Sequence, residues 1–239
     1  MQSDPYSGID NLEVMQEAVN YNRYLLDAIR KHATERSRIV DFGAGTGQFA
    51  IPLKQARLDV TAVEPDGSMR ERIAASGVPA VGSAAELPAE SFDLVYSLNV
   101  LEHIDDHVGA LQQLHATLKP AGTLLIYVPA FPILYTSMDA KVGHVRRYTR
   151  ASLSAAVYAA GFTIDRIAYV DCLGFLATLL FKLLDRGGGT VNRAALKLYD
   201  RVVFPVSACL DVITRSRFLP NQRRVITSRQ ALTGNTTRS

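Results

Sequence analysis

Glycines at alternate positions follow an apolar segment near the start of the chain. Residues 39–47 read Ile-Val-Asp-Phe-Gly-Ala-Gly-Thr-Gly, the pattern of a buried strand that runs into a turn and then a helix. Glycine permits a tight turn and lets a ligand lie against bare backbone, and a helix N-terminus offers unpaired N–H groups. This segment therefore predicts a loop that binds a nucleotide-like cofactor.

The spacing of these glycines bears on the class of cofactor. The dinucleotide fingerprint G-x-G-x-x-G would need its third glycine at position 48, where the chain has Gln48. Glu64 ends the next predicted strand and is placed to accept hydrogen bonds from a ribose diol. The glycine pattern thus departs from the dinucleotide fingerprint, whereas Glu64 fits a nucleotide cofactor of either class.

Two histidines and two arginines are candidates for chemistry on a second molecule. His103 follows the fourth predicted strand, and its imidazole can accept a proton at neutral pH; the alternative is a helix-start or core histidine. His144, Arg146 and Arg147 lie in the loop after the fifth strand. They predict charge-assisted hydrogen bonds to a phosphate or carboxylate, unless the arginines are solvent-exposed residues before a helix. Further pocket candidates in this loop are Tyr135 and Asp139.

Helical and extended segments alternate along most of the chain, which is typical of a doubly wound α/β fold with a mostly parallel sheet. Seven strands are predicted, over residues 38–42, 58–63, 78–81, 92–97, 123–128, 162–171 and 222–229. The intervening helices are predicted over residues 13–32, 68–76, 108–118 and 150–160. Ligands of such sheets bind outside the carboxyl ends of the strands, so the glycine loop is expected to open a crevice there.

A segment of helical pattern, residues 172–220, is inserted before the last strand of what we interpret as a single domain, residues 1–239. One interpretation is a lid or a homodimer interface that packs its leucines on the core. The other is a surface that docks on a membrane or a lipid-like substrate. A glycine hinge at 187–189 and six arginines between positions 215 and 238 belong to this end of the chain.

Composition narrows the function classes. The 239 residues are 48% hydrophobic and 21% charged, which excludes wholesale disorder and fibrous structure. Two cysteines cannot build a disulfide framework or a four-cysteine zinc site, and no cluster with metal-ligand spacing is present, so no metal is expected. The net charge of +3 is too small to argue for nucleic acid. The N-terminus has no secretory signal pattern, which favours a cytoplasmic protein.

Four motifs in order resemble those of the class I S-adenosylmethionine-dependent methyltransferases, and the resemblance extends over about residues 13–161. They are DFGAGTG, AVEPD, SFDLVYSLNVLEHIDD and LKPAGTLLIYVP. The resemblance implies a Rossmann-like sheet of seven strands, S-adenosyl-L-methionine as cofactor and S-adenosyl-L-homocysteine as product.

The resemblance also implies roles for individual residues. The methionine part of the cofactor would lie over Gly43, Ala44 and Gly45, with Asp41 touching the cofactor or supporting this loop. The ribose would bind Glu64 beside Pro65. The remaining contacts implied are adenine near Ser83 and Ala84, the methyl group facing Leu98, Asn99 and His103, and a closing helix that contains Tyr21.

The function implied is methyl transfer to a small-molecule or lipid-like acceptor, with oxygen favoured over nitrogen or carbon. In-line placement is the main demand, and His103 or His144 would act as a base only if the acceptor must lose a proton. The alternatives are a methyltransferase for a glycan or polyprenyl-linked intermediate and a regulatory protein that binds the cofactor without catalysis. A nucleic-acid acceptor is not expected, because residues 99–102 lack the Asn/Asp-Pro-Pro-aromatic motif. Residues 172–220 would allow peripheral contact with the inner face of the membrane.

Overall fold

A seven-stranded sheet forms the centre of the computed structural model, which describes residues 14–184, 193–214 and 223–230. The strand order is β3-β2-β1-β4-β5-β7-β6. The first five strands are parallel, whereas β7 runs antiparallel to both β5 and β6. The strands are β1 (Arg38–Phe42), β2 (Asp59–Val63), β3 (Ala80–Val81), β4 (Phe92–Leu98), β5 (Leu118–Pro129), β6 (Phe162–Val170) and β7 (Arg223–Gln230).

Helices cover both faces of this sheet. Successive side chains of a strand point to opposite faces, and in β4 Leu94 packs with one hydrophobic cluster and Val95 with the other. The arrangement confirms the predicted doubly wound α/β fold. The helices are α1 (Val19–Arg30), α2 (Ala50–Gln55), α3 (Gly67–Ala75), α4 (His107–Thr117), α5 (Ser137–Lys141), α6 (Arg150–Ala159), α7 (Cys172–Leu184), α8 (Arg193–Leu198) and α9 (Phe204–Thr214), with a π-helical turn at Tyr199–Val203 between the last two.

Two element boundaries differ from the sequence-based predictions. The helix predicted over residues 13–32 is interrupted, because residues 14–16 are helical, a turn follows, and α1 begins at Val19. At the start of α1, the side chain of Asp200, from the distant insertion, accepts hydrogen bonds from the backbone amides of Asn20 and Tyr21. Strand β5 begins at Leu118, which was expected to end a helix. Leu118 pairs with Phe92 before the register shifts, because the five residue steps of β5 from Leu118 to Thr123 face only two steps of β4. A pairing between distant residues therefore decides this boundary.

The insertion between β6 and β7 is helical in its described part and is tied to the core by buried aspartates. Asp171 accepts hydrogen bonds from the Tyr199 hydroxyl (2.6 Å) and the Gly174 amide (3.1 Å), which caps α7. Asp200 joins the insertion to α1, as described above. The predicted glycine hinge at 187–189 and the arginines at 215 and 217 and at 238 lie outside the described residues. Within the described ranges, no helix has both the length and the apolar character needed to cross a bilayer.

Candidate active site

A cavity of about 630 Å³ opens at the carboxyl ends of β1, β2 and β4. Parallel strands leave a crevice at this edge where the chain connections diverge to opposite faces of the sheet. Eight of the residues assigned to a site from the sequence line it, namely Gly43, Gly45, Glu64, Pro65, Ser83, Ala84, Asn99 and His103. The sequence analysis did not single out the α4 residues Gly109, Ala110 and Gln113, which line the same cavity.

The glycine loop after β1 has a conformation and a packing that require glycine. Gly43 has φ +78°, and a Cβ atom there would lie 2.4 Å from a methyl carbon of Val100. Gly45 has φ +55°, and a Cβ atom there would meet nothing within 4 Å. Both values lie in the left-handed region that side chains disfavour. Of these two glycines, Gly43 is constrained by a neighbour, whereas Gly45 borders open space within the cavity.

Glu64 connects the end of β2 to the glycine loop. Its Oε2 accepts a hydrogen bond from the Gly45 amide (2.6 Å), and its Oε1 accepts one from the Asp66 amide (2.9 Å). Burial raises the pKa of Glu64, and these two backbone bonds oppose the rise. Each carboxylate oxygen has a second lone pair, so Glu64 can still accept a hydrogen bond from a bound diol.

Asp41 lies below the loop and does not line the cavity. Burial raises its pKa to about 7, and the neighbouring Tyr96 and the backbone at Ala50 oppose that rise. Because Ala50 begins α2, the Asp41 carboxyl lies near the start of the helix that follows the glycines. Of the two roles considered for Asp41, loop support is the one that this position favours.

Three other predicted cofactor contacts, Tyr21, Ala44 and Leu98, lie outside the residues that line the cavity. Tyr21 is buried against Tyr127 and Phe204, with ring centroids 6.1 and 5.6 Å away. Its hydroxyl accepts a hydrogen bond from the Asn99 side chain (3.3 Å). Tyr21 therefore reaches the cavity through Asn99, which has φ +55° and does line it.

His103 lines the cavity, and His144, which does not line it, packs against His103. His103 belongs to a 3₁₀ turn after β4 (Leu101–His103), and His144 follows α5. Their rings pack edge to face with centroids 4.7 Å apart. Burial, followed by the neighbouring His144, lowers the pKa of His103 to about 4. His103 is therefore neutral at pH 7 and can accept a hydrogen bond from a hydroxyl group.

A buried ion pair lies behind His144. The Arg147 guanidinium donates to both carboxylate oxygens of Asp139, each over 2.8 Å, and His144 Nδ1 lies 2.7 Å from Asp139 Oδ1. Burial alone would raise the pKa of Asp139, but its hydrogen bonds with His144 and Arg147 hold the pKa well below its ordinary value. Asp139, placed in the pocket region by sequence alone, is thus an ionised carboxylate that orients His144.

Arg147, predicted to bind an anionic substrate, has its side chain directed into the protein in this structure. Its side chain is only 3% exposed and its donors face Asp139 and the carbonyl of Ala130, so it offers no accessible face to an anion. Arg146 donates to the backbone oxygens of Ile104 and Asp105 and contacts His107 Nδ1. The Tyr135 hydroxyl donates to the carbonyl of His144 (2.6 Å). In this structure, the two arginines and Tyr135 hold the histidine loop in place.

Comparisons with known proteins agree with this architecture. A family model described as a methyltransferase domain matches residues 15–167. The chain is 35% identical over 100 residues to trans-aconitate 2-methyltransferase of Deinococcus radiodurans, a match covering 39% of this chain and 38% of that protein. It is 28% identical over 100 residues to ubiquinone biosynthesis O-methyltransferase of Rhodopseudomonas palustris, covering 37% and 38%. The matched region thus spans well under half the length of these curated relatives.

Solved structures share the fold over most of the chain. A SAM-dependent methyltransferase of Thermotoga maritima, titled a possible histamine N-methyltransferase, superposes with a TM-score of 0.61 at 22% identity. That comparison covers 94% of this chain and 97% of the other. A putative methyltransferase in complex with the Haloferax volcanii Trm112 activator gives 0.63 at 14% identity, covering 95% of each chain. At these identities the similarity supports the fold alone.

Proposed function

The chain belongs to the methyltransferase-domain family, and from that premise we propose that it transfers the methyl group of S-adenosylmethionine to an oxygen atom of a small-molecule or lipid-like acceptor. One observation carries the proposal. The same cavity is lined by the glycine loop, by Glu64 and by His103, so a cofactor and an acceptor can meet within it.

The residues around this cavity suit S-adenosylmethionine. The open space beside Gly45 accepts a chain laid along bare backbone, and Glu64 keeps acceptor capacity for the ribose hydroxyls. Ser83 and Ala84, at the start of a 3₁₀ turn, border the cavity where the adenine is proposed to lie. This distribution supports a methyl group that is directed toward Asn99 and His103.

The proposed reaction is an in-line displacement. The acceptor oxygen forms a bond to the methyl carbon while the carbon–sulfur bond breaks, and its electrons return to sulfur to give the neutral thioether S-adenosylhomocysteine. An alcohol or phenol must also release its proton, so a hydroxyl acceptor needs a polar group beside it. The neutral imidazole of His103 and the adjacent His144 supply such groups at the acceptor end.

The polar groups around His103 favour oxygen as the acceptor atom, whereas the names of similar proteins do not decide between oxygen and nitrogen. One relative is named an O-methyltransferase, whereas a solved structure of similar fold is titled a possible N-methyltransferase. The paired imidazoles backed by an ionised Asp139 suit an acceptor that enters with a proton to lose.

Exposed apolar side chains on the insertion support the lipid-like choice of acceptor. Leu176, Leu180 and Leu183 of α7 are 57%, 58% and 75% exposed, and Lys182 lies among them. An apolar helix face with interspersed cations is typical of contact with a membrane surface. We therefore place a membrane or a membrane-derived acceptor against this face of α7.

Calorimetry with S-adenosylmethionine and with S-adenosylhomocysteine tests the common premise. We expect 1:1 binding of both, and at least about tenfold weaker binding after Glu64→Ala because a charge-assisted hydrogen bond is lost. Glu71→Ala, at an exposed glutamate of α3, is the matched control. Folded protein that binds neither compound would contradict the proposal.

Turnover then separates an enzyme from a protein that only binds the cofactor. Production of S-adenosylhomocysteine would be followed with phenols, carboxylates and short polyprenols, each as a separate acceptor class. We expect turnover with a hydroxyl-bearing acceptor. Cofactor binding without turnover on any class would favour the regulatory alternative.

A further inference from the structure

Three side chains with metal-ligating atoms converge where the 3₁₀ turn after β4 meets the loop after α5. Glu102, His103 and His144 can each offer one ligand atom, and these atoms all lie within 4.8 Å of one another. We propose that this cluster binds one divalent transition-metal ion. Only the catalytic role of this ion rests on the proposed function. The proposed ligands themselves are all residues of this chain.

The donor set fits such an ion. Two imidazole nitrogens and one carboxylate oxygen are the protein ligands of many catalytic zinc and non-haem metal sites, which leave further positions for water or substrate. His144 Nε2 lies 3.8 Å from Glu102 Oε1. Two ligands about 2.1 Å from a tetrahedral ion would be roughly 3.4 Å apart, so closing this gap needs a few tenths of an ångström.

His144 is already oriented as a metal ligand would be. Its Nδ1 faces Asp139 Oδ1 at 2.7 Å, which assigns the ring proton to Nδ1 and leaves the Nε2 lone pair on the side of Glu102. A carboxylate behind a ligating histidine is the usual second partner in metal sites, where it fixes the tautomer and strengthens the ligand. Asp139 is fixed in turn by the two bonds from Arg147.

Backbone contacts hold the two segments of the cluster together. The Val145 amide donates to the Glu102 carbonyl (2.9 Å), directly beside both proposed ligands. The Tyr135 hydroxyl fixes the carbonyl of His144 itself. Binding an ion would therefore require side-chain adjustments, up to about 1.4 Å between the most distant ligand atoms, on a backbone that is already held in place.

The local environment also favours a cation. Asp139 and Arg147 neutralise each other, and the Glu102 side chain is fully buried. A bound divalent ion would offset the cost of ionising the Glu102 carboxyl group at this buried position. His144 lies far from Glu102 and His103 in the sequence. The spacing of possible ligands along the chain therefore did not indicate a metal site.

The position of the cluster suggests what the ion would contribute. His103 lines the cavity in which cofactor and acceptor are proposed to meet. A divalent cation beside an acceptor hydroxyl would bind its oxygen and lower its pKa, so that the proton leaves to water before methyl transfer. In this arrangement His103 and His144 act as ligands and not as the base.

Metal binding can be measured without cofactor or acceptor. The untagged chain would be stripped with a chelator, dialysed and titrated separately with Zn²⁺ and Mn²⁺ by calorimetry, and with Co²⁺ by visible absorption. We expect one ion per chain for at least one metal and an upward shift in melting temperature on binding. The cobalt spectrum requires no substitution and therefore does not depend on how the variants fold.

Variants locate the site. Glu102→Gln, His103→Asn and His144→Asn should each weaken binding by about 10- to 100-fold or more, and Asp139→Asn by about 10- to 100-fold through the orientation of His144. His32→Asn, at an exposed histidine distant in sequence, should leave binding unchanged. Circular dichroism identifies variants that remain folded.

The proposal is overturned if the stripped chain binds none of the three metals at one ion per chain. It is also overturned if the folded ligand variants bind as tightly as the unaltered chain. Titration of the same stripped sample with S-adenosylhomocysteine keeps the two proposals apart. Cofactor binding without metal binding contradicts the metal site alone, and metal binding without cofactor binding contradicts the proposed function alone.

Discussion

The site has a glycine end, formed by the loop after β1 with Glu64, and a histidine end, formed by His103 and His144, and the two ends are built in different ways. At the glycine end the backbone dominates, because three glycines with positive φ turn the chain after β1 and Glu64 accepts hydrogen bonds from backbone amides at the end of β2. At the histidine end, side chains from separate segments meet one another, and Asp139 with Arg147 forms their buried support. The first end depends on local conformation, and the second depends on tertiary packing.

The largest expected loss of unfolding free energy comes from a substitution at the histidine end. Arg147→Ala leaves Asp139 buried without its guanidinium partner, and such a loss costs about 3–5 kcal/mol of unfolding free energy. Arg30→Ala is the control, because Arg30 pairs with Asp27 on the surface with both side chains about half exposed, where ion pairs contribute at most about 1 kcal/mol. Urea denaturation of both variants measures the contrast. Equal losses in the two variants would contradict the structural role of Arg147.

The glycine end provides a paired test of local conformation. Gly45→Ala should cost about 1–2 kcal/mol, since a positive φ is its main constraint. Gly43→Ala should cost more, because its Cβ would also collide with Val100. Unfolding and affinity for S-adenosylhomocysteine would be measured for both variants. The double variant Gly43→Ala with Val100→Ala should recover part of the difference, and no recovery would show that the collision is not the cause.

The same contrast explains what could be predicted from sequence. The order of strands and helices, the glycine loop and the place of Glu64 follow from hydrophobic periodicity and turn chemistry over a few residues. The sequence marked His103, His144 and Asp139 individually, but their meeting depends on how a loop folds back after β5. The ion pair of Arg147 with Asp139 could not be predicted for the same reason, because only packing shows that the donors of Arg147 face this carboxylate. The capping of α1 by Asp200 is a further contact that no local pattern indicates.

The pH dependence of stability tests the role of Asp41 beside the glycine loop. Its pKa of about 7 in the folded protein lies above the ordinary value of 3.8, so the folded state holds this proton more tightly than the unfolded state. Its contribution to stability is therefore complete below about pH 4 and is lost as the pH rises to about 7, at up to about 1.4 kcal/mol per pH unit. We expect the unfolding free energy of Asp41→Asn, measured by urea denaturation at each pH, to lack this decline. If the unfolding free energies of the unaltered chain and of Asp41→Asn ran parallel between pH 4 and 7, the effect assigned to Asp41 would be contradicted.

The smallest expected change in stability is at the insertion. There the exposed leucine face of α7 can be compared with the glycine end and the histidine end of the site. Replacing Leu176, Leu180 and Leu183 together by serine removes exposed side chains, so the unfolding free energy should change by no more than about 0.5 kcal/mol per site. Co-sedimentation with vesicles that contain anionic lipid should fall sharply, because the apolar face of α7 is lost. Tyr158→Ser, at an exposed site on α6, should leave vesicle binding unchanged.

Two outcomes of this experiment would overturn the membrane interpretation. Undiminished vesicle binding would show that the leucines are not the contact. A clear loss of stability that depends on protein concentration would show that a second copy of the chain covers this face, because dissociation of an oligomer follows mass action. The leucines would then form the dimer interface that the sequence left open, and the preference for a lipid-like acceptor would lose its main support.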